Sequence, residues 1–465
     1  MRVLVYGLLI SAAVTISGVA SELRPVVEAE QEVYRTLPAN NGAGPMWCSG
    51  STCLVRCAGQ VLVSGIETID GAKPLNNVRW VLLRDRGEGW QVECRDEQHR
   101  TREPCPLVTF ADGRIMLSAN PTLTGPDAAS GPARPEILQF GAERLDHPVE
   151  TLRPVETLRP TWRGNPTFSE HSYRSFAADG PRNELILFQN IGYGHAEWSF
   201  YDRDGRWSAQ GQLKWPWGAA YAKPQPIRIC YPTVAIKDRA VYFCGVSDIV
   251  EPNVEWRAAK KELTGRDWDY DFRRLFFTWT SDITSDEFQP WVEIASREST
   301  CGWVSPCDLW VSDNHDVHIL WAERALDERL RARFYPNEKQ SRALNYAIVR
   351  DGKVIRQQSL VAAREGQGGL VPGKGRFQVS EDQRLFVLNY ISGTDTDGRR
   401  ISENRVVELC DGEPQGLHQR VPFKHPFTSF FTATTRAGSP PSRVMDLLGQ
   451  CAGKEGICYG RVRLY

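Results

Sequence analysis

Four side chains able to move protons near neutral pH fall in two neighbouring stretches of this chain: His171, Tyr173, His195 and Tyr231. A neutral imidazole suits proton abstraction, and a phenol can give or take a proton. Arg174 and Arg228 stand close by in sequence, and a guanidinium can hold a carboxylate or quiet the charge that develops as a proton leaves the carbon beside one. Trp198 adds a flat aromatic face of the kind that packs against a sugar ring as readily as against a core. These types suit acid–base chemistry on an anionic, hydroxylated ligand.

The elements that must position them are strands. Phe168 to Trp207 reads as three or four short strands in a row: HSYRSFAA, ELILFQN after the turn DGPRN, then HAEWSFYD before DRDG. Period-two alternation, aromatic and β-branched residues and Asp-Gly punctuation predict an antiparallel meander. Both histidines then stand at strand starts. The same pattern opens again at Cys53, Pro106, His171, Tyr231, Cys307, Gly375 and near Ser429. Units of this length predict an all-β fold, a β-propeller of about seven four-stranded blades, with six as the nearest alternative. A ring of blades covers both apolar faces of each and leaves only short edges. A β-sandwich followed by a second β domain is the competing arrangement. The expected division is a signal peptide over 1–20, an N-terminal extension over 21–46 carrying a short helix at Val26–Tyr34, and one propeller over 47–465.

A net charge of −1 across 465 residues, with no long basic run, argues against nucleic acid as a partner. MRVLVYGLLISAAVTISGVA has the basic start, apolar run and small residues of a secretory signal, so the protein is expected to be secreted or periplasmic, with no membrane contact after cleavage and a monomer. In an oxidising compartment twelve cysteines suggest disulfide staples: Cys94–Cys105, Cys230–Cys244, Cys301–Cys307, Cys451–Cys458, and one of Cys48, Cys53 or Cys57 with Cys410. No zinc spacing stands out, and Asn314 to His318 reads as a polar turn, so no metal or other cofactor is expected. PVETLR occurs twice, at 148–153 and 154–159, and reads as a surface loop. Residues 254–274 form a long insertion of the kind that shapes the mouth of a propeller cleft.

The strand, Asp-Gly, strand grammar resembles the sialidase-like propellers built from BNR or Asp-box repeats. Asp85-Arg86-Gly87-Glu88-Gly89-Trp90 keeps the D-x-G-x-x-W core of an Asp box, and Asp202 to Trp207 is a degenerate copy. Asp85 and Trp90 are expected to pin a hairpin. From His171 to Ser247 the chain is most similar to the BNR-repeat branch that contains the secreted ulvan lyases. That resemblance implies a cleft lined by His171, His195 and Tyr231 as catalytic residues acting on an extracellular polysaccharide. It also implies an arginine soon after the tyrosine to neutralise the substrate carboxylate. None follows until Arg257, and Arg228 is the substitute.

The expected activity is β-elimination on a uronate-containing glycan, with His171 or Tyr231 as base and acid and His195 assisting. Tyr173, Arg174, Arg228, Arg257 and Trp198 are the expected substrate contacts. A propeller that only binds a glycan or a protein is the first alternative. A sialidase-type glycoside hydrolase is the second, although the Arg-Ile-Pro motif near the first blade is missing.

Overall fold

In the computed structural model, residues 23–48, 50–141, 152–367, 369–395 and 397–465 are described. The expected signal segment and most of the first PVETLR copy lie outside them; the second copy supplies the strand Pro154–Leu158. The described residues form seven four-stranded antiparallel sheets, the blades of a β-propeller, which settles seven blades against six. The first strands of blades one to seven are Leu54–Cys57, Leu107–Thr109, Ser175–Asp179, Ile229–Lys237, Trp303–Val311, Gly369–Val379 and Phe427–Thr432. Each packs against the first strand of the next around a central channel.

Blade three shows why the pattern folds this way. Ser175–Asp179, Glu184–Ile191, His195–Tyr201 and Trp207–Lys214 pair in sequence order. ELILFQN is buried almost throughout because both its faces meet a neighbouring blade: Leu185 and Leu187 face the core shared with blade two, and Ile186 and Phe188 the core shared with blade four. A strand covered on both faces reads as a continuous apolar run. The outer strand Trp207–Lys214 alternates because one face meets solvent.

The Asp-box copies do what their residues suggest. Asp85 Oδ1 accepts the Gly87 N–H at 2.9 Å, Gly87 and Gly89 take positive φ, and Trp90 Nε1 donates to Gln31 Oε1 at 2.8 Å. Asp202 Oδ1 accepts the N–H groups of Asp204 and Arg206. Both are hairpin turns between the third and fourth strands of their blades.

Two expectations fail. Pro25–Tyr34 is a strand, not a helix: it pairs antiparallel with Ile457–Leu464 as the outermost strand of blade seven. The run VVEAEQEVY holds good helix formers, but the open edge of the last sheet offers a complete ladder of backbone partners, and tertiary pairing overrides propensity. The expected disulfide staples are also not formed, since none of the twelve cysteines is bonded, although the Cys451 and Cys458 thiols are in hydrogen-bond contact and Cys48 Sγ lies 3.3 Å from Cys53 Sγ. Strand register explains one case: Cys230 stands opposite Val246 and Cys244 opposite Thr233, so the two are offset along the ladder. Cys301 and Cys307 lie in separate cores. Cys410 is exposed. Among the described residues, no helix is long and apolar enough to cross a membrane.

Residues 50–52 run into the ring where the first strands begin. Arg436 Nη1 donates to Gly50 O at 2.7 Å, Ser51 Oγ accepts the Phe176 N–H at 3.1 Å, and Thr52 O accepts the Leu107 N–H at 2.9 Å. A Cβ on Gly50 would lie 1.9 Å from Pro232 O, so only glycine fits there. This segment ties blades two, three, four and seven together at the axis.

Candidate functional site

The upper face, where the first strands begin, carries the sequence-predicted residues. His171 and Tyr173 lie just before the first strand of blade three, and Tyr231 lies in the first strand of blade four. Tyr173 and Tyr231 are both held at positive φ, 42° and 48°. Such backbone is strained for a bulky L-residue and persists where its surroundings fix it, as they commonly do at functional sites. Their rings meet edge to face with centroids 5.2 Å apart, and Tyr173 meets the His171 imidazole at 4.4 Å. Trp47 stacks on this group, 6.1 Å from Tyr173, 5.9 Å from His171 and 5.5 Å from Tyr231. The space left between them is only about 10 Å³.

The residue that organises the imidazole is Glu103, in the connection between blades one and two. Its Oε1 lies 2.8 Å from His171 Nδ1 and also accepts the Ser172 N–H at 3.2 Å. An ionised carboxylate only accepts, so Nδ1 carries the proton, and Nε2 is the nitrogen free to take one. Burial works to raise the Glu103 pKa, but the hydrogen bonds from His171 and the Ser172 N–H and the Arg174 charge hold it below its ordinary value. Arg174 is buried beneath, donating to Ser118 O and Pro104 O at 2.8 Å each, with Nε 3.8 Å from Glu103. It is therefore a strut that positions Glu103 and not a substrate contact.

Desolvation raises the pKa of both tyrosines, and the nearby Cys230 and Asp248 add to it, so both phenols stay protonated at neutral pH. Arg228 is tied up next to them. Its Nη2 pairs with Asp248 Oδ2 at 2.6 Å and its Nε donates to Asp248 O at 3.0 Å. The guanidinium lies 4.0 Å from the Tyr193 ring, with Tyr173 and Tyr270 at 5.5 Å. Paired and stacked in this way, it is not available to a substrate carboxylate as expected.

The remaining expected residues separate from this cluster. His195, at the start of the third strand of blade three, has Nε2 2.8 Å from Glu197 Oε1, which also accepts from Gln212. This is a second histidine–carboxylate pair on the same face, two strands out from the axis. Trp198 is 9 % exposed and packs over Gly211 in the core between blades three and four, which explains why it presents no platform for sugar. Arg257 stands on the exposed helix Val254–Thr264, where its Nε donates to Asp267 O at 3.2 Å.

Sequence reasoning missed two participants, Glu103 and Trp47. Lys374 lies at a bulge in the first strand of blade six, between the pairs Pro372↔Ile391 and Gly375↔Asn389. Burial lowers its pKa, and its electrostatic neighbours include Cys230, the same thiol that stands beside Tyr173 and Tyr231. Among the described residues it has no carboxylate partner. No group of three or more metal-ligating side chains occurs among the described residues, and Ser312–Asp316 forms the turn between the first two strands of blade five.

At the lower face the ends of the first strands ring a cavity of about 580 Å³. Its Arg56, Arg182 and Lys237 are each paired, with Asp446, Asp238 and Asp313.

No family model matches the chain, and no curated protein matches its sequence. Solved structures do match its fold. The polysaccharide lyase Uly1 superposes with a TM-score of 0.50 at 10 % identity, covering 94 % of this chain and 99 % of its own. An α-L-arabinofuranosidase from Fusarium graminearum gives 0.40 at 8 % identity, over 94 % and 98 %. A Trypanosoma rangeli sialidase gives 0.39 at 11 % identity, over 84 % and 60 %. At 10 % identity the likeness to Uly1 is one of fold alone.

Proposed function

We propose that this protein acts on an acidic polysaccharide, cleaving it by β-elimination at the His171–Tyr231 cluster. The observation that carries the reading is the Glu103-anchored imidazole set against two strained, protonated tyrosines on one face of the ring. His171 Nε2 takes the proton from the carbon next to a uronate carboxylate. Lys374 neutralises the charge that spreads onto that carboxylate. Tyr231 gives its proton to the departing glycosidic oxygen as the C–O bond breaks and the C4=C5 double bond forms. The proton on His171 then returns to the Tyr231 phenolate, which restores both groups. A secreted setting is part of the same proposal, supported by the basic start and apolar run of residues 1–20.

The test is absorbance at the ultraviolet band of an unsaturated uronate, with the purified protein and a panel of acidic polysaccharides. A rise that His171→Ala and Tyr231→Phe abolish supports the reading. One observation favours a second one: Trp47 covers the cluster, which suits a face that binds glycan without cleaving it. Saturable binding to the same polymers, with no rise in absorbance and no release of reducing sugar, would put that reading first.

A further inference from the structure

A second site opens on the upper face between blades one and two. It is a cavity of about 750 Å³. Two buried polar groups line it without partners. Trp80, in the strand Val78–Asp85, is 3 % exposed, and its indole N–H has no acceptor. Glu136, at the start of the strand Glu136–Phe140, is 5 % exposed and has neither a hydrogen bond nor an ion pair among the described residues. Leaving a buried donor without an acceptor is costly, so folds rarely keep one beside a cavity without a use for it.

The rim carries both charges, Arg95, Arg134, Arg153 and Arg159 together with Glu93, Asp96 and Glu97. Arg134 and Arg159 line the same cavity, are exposed, and form no ion pair among the described residues. In this chain most other arginines near a carboxylate are paired with it. Burial raises the Glu136 pKa against the pull of His99, Arg134 and Arg159. His99 is fixed in place by Asp96, whose Oδ1 accepts the His99 and Gln98 N–H groups at 2.9 and 3.0 Å and lies 3.2 Å from His99 Nδ1.

We infer that this cavity binds an acidic sugar unit, its anionic group between Arg134 and Arg159 and its hydroxyls between the Trp80 indole N–H and Glu136. The indole is a donor only, a carboxylate accepts only, and a hydroxyl answers both. The guanidinium forks match a carboxylate or sulfate oxygen pair. The connection that lines this cavity with Asp96 and His99 also carries Glu103 to His171, so the two sites share one loop. The choice of a saccharide rests on the glycan reading above, but the site does not depend on turnover.

The experiment follows the Trp80 indole resonance in the 15N-labelled His171→Ala protein, assigned through Trp80→Phe, during titration with trigalacturonate. Cleavage plays no part in this signal, so loss of the lyase reading leaves it interpretable. The expected result is a saturable shift that Arg134→Gln/Arg159→Gln weakens by about tenfold or more, equivalent to about 1.4 kcal/mol. Glu136→Gln, which keeps the shape, is expected to weaken it as well. Maltotriose and inorganic sulfate are the controls, and neither should move the resonance to saturation. The inference is overturned if trigalacturonate gives no shift at millimolar concentration, if the arginine variants bind equally well, or if maltotriose or sulfate alone reproduces the effect.

Discussion

His171 Nδ1 lies 2.8 Å from Glu103 Oε1, and the two residues come from connections on either side of blade two. That single contact decides which imidazole nitrogen is free. Replacing Glu103 with Gln keeps a hydrogen-bonding side chain of the same shape but lets the amide donate to Nδ1, which moves the imidazole proton to Nε2. Turnover of an acidic polymer is expected to fall about 10²–10⁴-fold. The fold should survive, as judged by an unfolding midpoint within a few degrees of the unmodified protein. Unchanged turnover in Glu103→Gln would remove His171 from the role of base.

Lys374 and Arg228 make opposite predictions. Lys374→Met removes an unpaired cation and should slow turnover on uronate polymers about a hundredfold with little loss of stability. Arg228→Met strands Asp248 in the protein interior, and breaking a buried pair costs about 3–5 kcal/mol. Thermal unfolding and initial rates on both variants separate the two. If Arg228→Met keeps full stability while activity disappears, the carboxylate contact belongs to Arg228.

His318 gives a pH signature in stability. Burial lowers its pKa to about 4, and its Nδ1 lies 2.7 Å from the Tyr346 hydroxyl. The unfolded chain takes up the proton near pH 6.5, while the folded protein refuses it until about pH 4. Its contribution is thus fully present above 6.5 and is lost as pH falls towards 4, by up to about 3 kcal/mol. Denaturant melts between these values should show a slope that His318→Asn flattens. An equal slope in the variant would assign it to other groups.

Removal of the residues before Trp47 should lower the unfolding midpoint by about 10 °C or more, because it strips a ten-residue strand from blade seven. Val33 and Tyr34 in that strand pack against the core shared with blade one. Arg463 also loses its partner Glu28. Calorimetry on the shortened chain provides the measurement, and an unshifted midpoint would mean that the ring closes without the strand.

The seven blade openings were legible because each carries a polar Asp- or Gly-bearing turn followed by a continuous apolar strand, as in DGPRN-ELILF and KDRA-VYFCG. Tyr173 and Tyr231 were legible as residue types at strand starts, and the structure does bring them to His171. Glu103 was not, because it lies in REPCP, a connection with no periodicity, and its partner is 68 residues away. Arg228 misled for a related reason: its ion pair with Asp248 forms across a strand register that composition does not reveal. Trp198 misled because an aromatic on an alternating strand reads the same whether its face meets solvent or the next blade. The strand Pro25–Tyr34 was illegible because the reason for it to be a strand is an edge near the other terminus.

That pairing also sets an order of events during synthesis. The strand that completes blade seven is made before blade one, and its partner Ile457–Leu464 only after blade six. Blades one to six can assemble as they emerge, each against its predecessor, while the early strand waits without a mate. The newborn propeller is therefore an open arc until Ile457–Leu464 emerges, and it becomes a ring only when that strand meets Pro25–Tyr34.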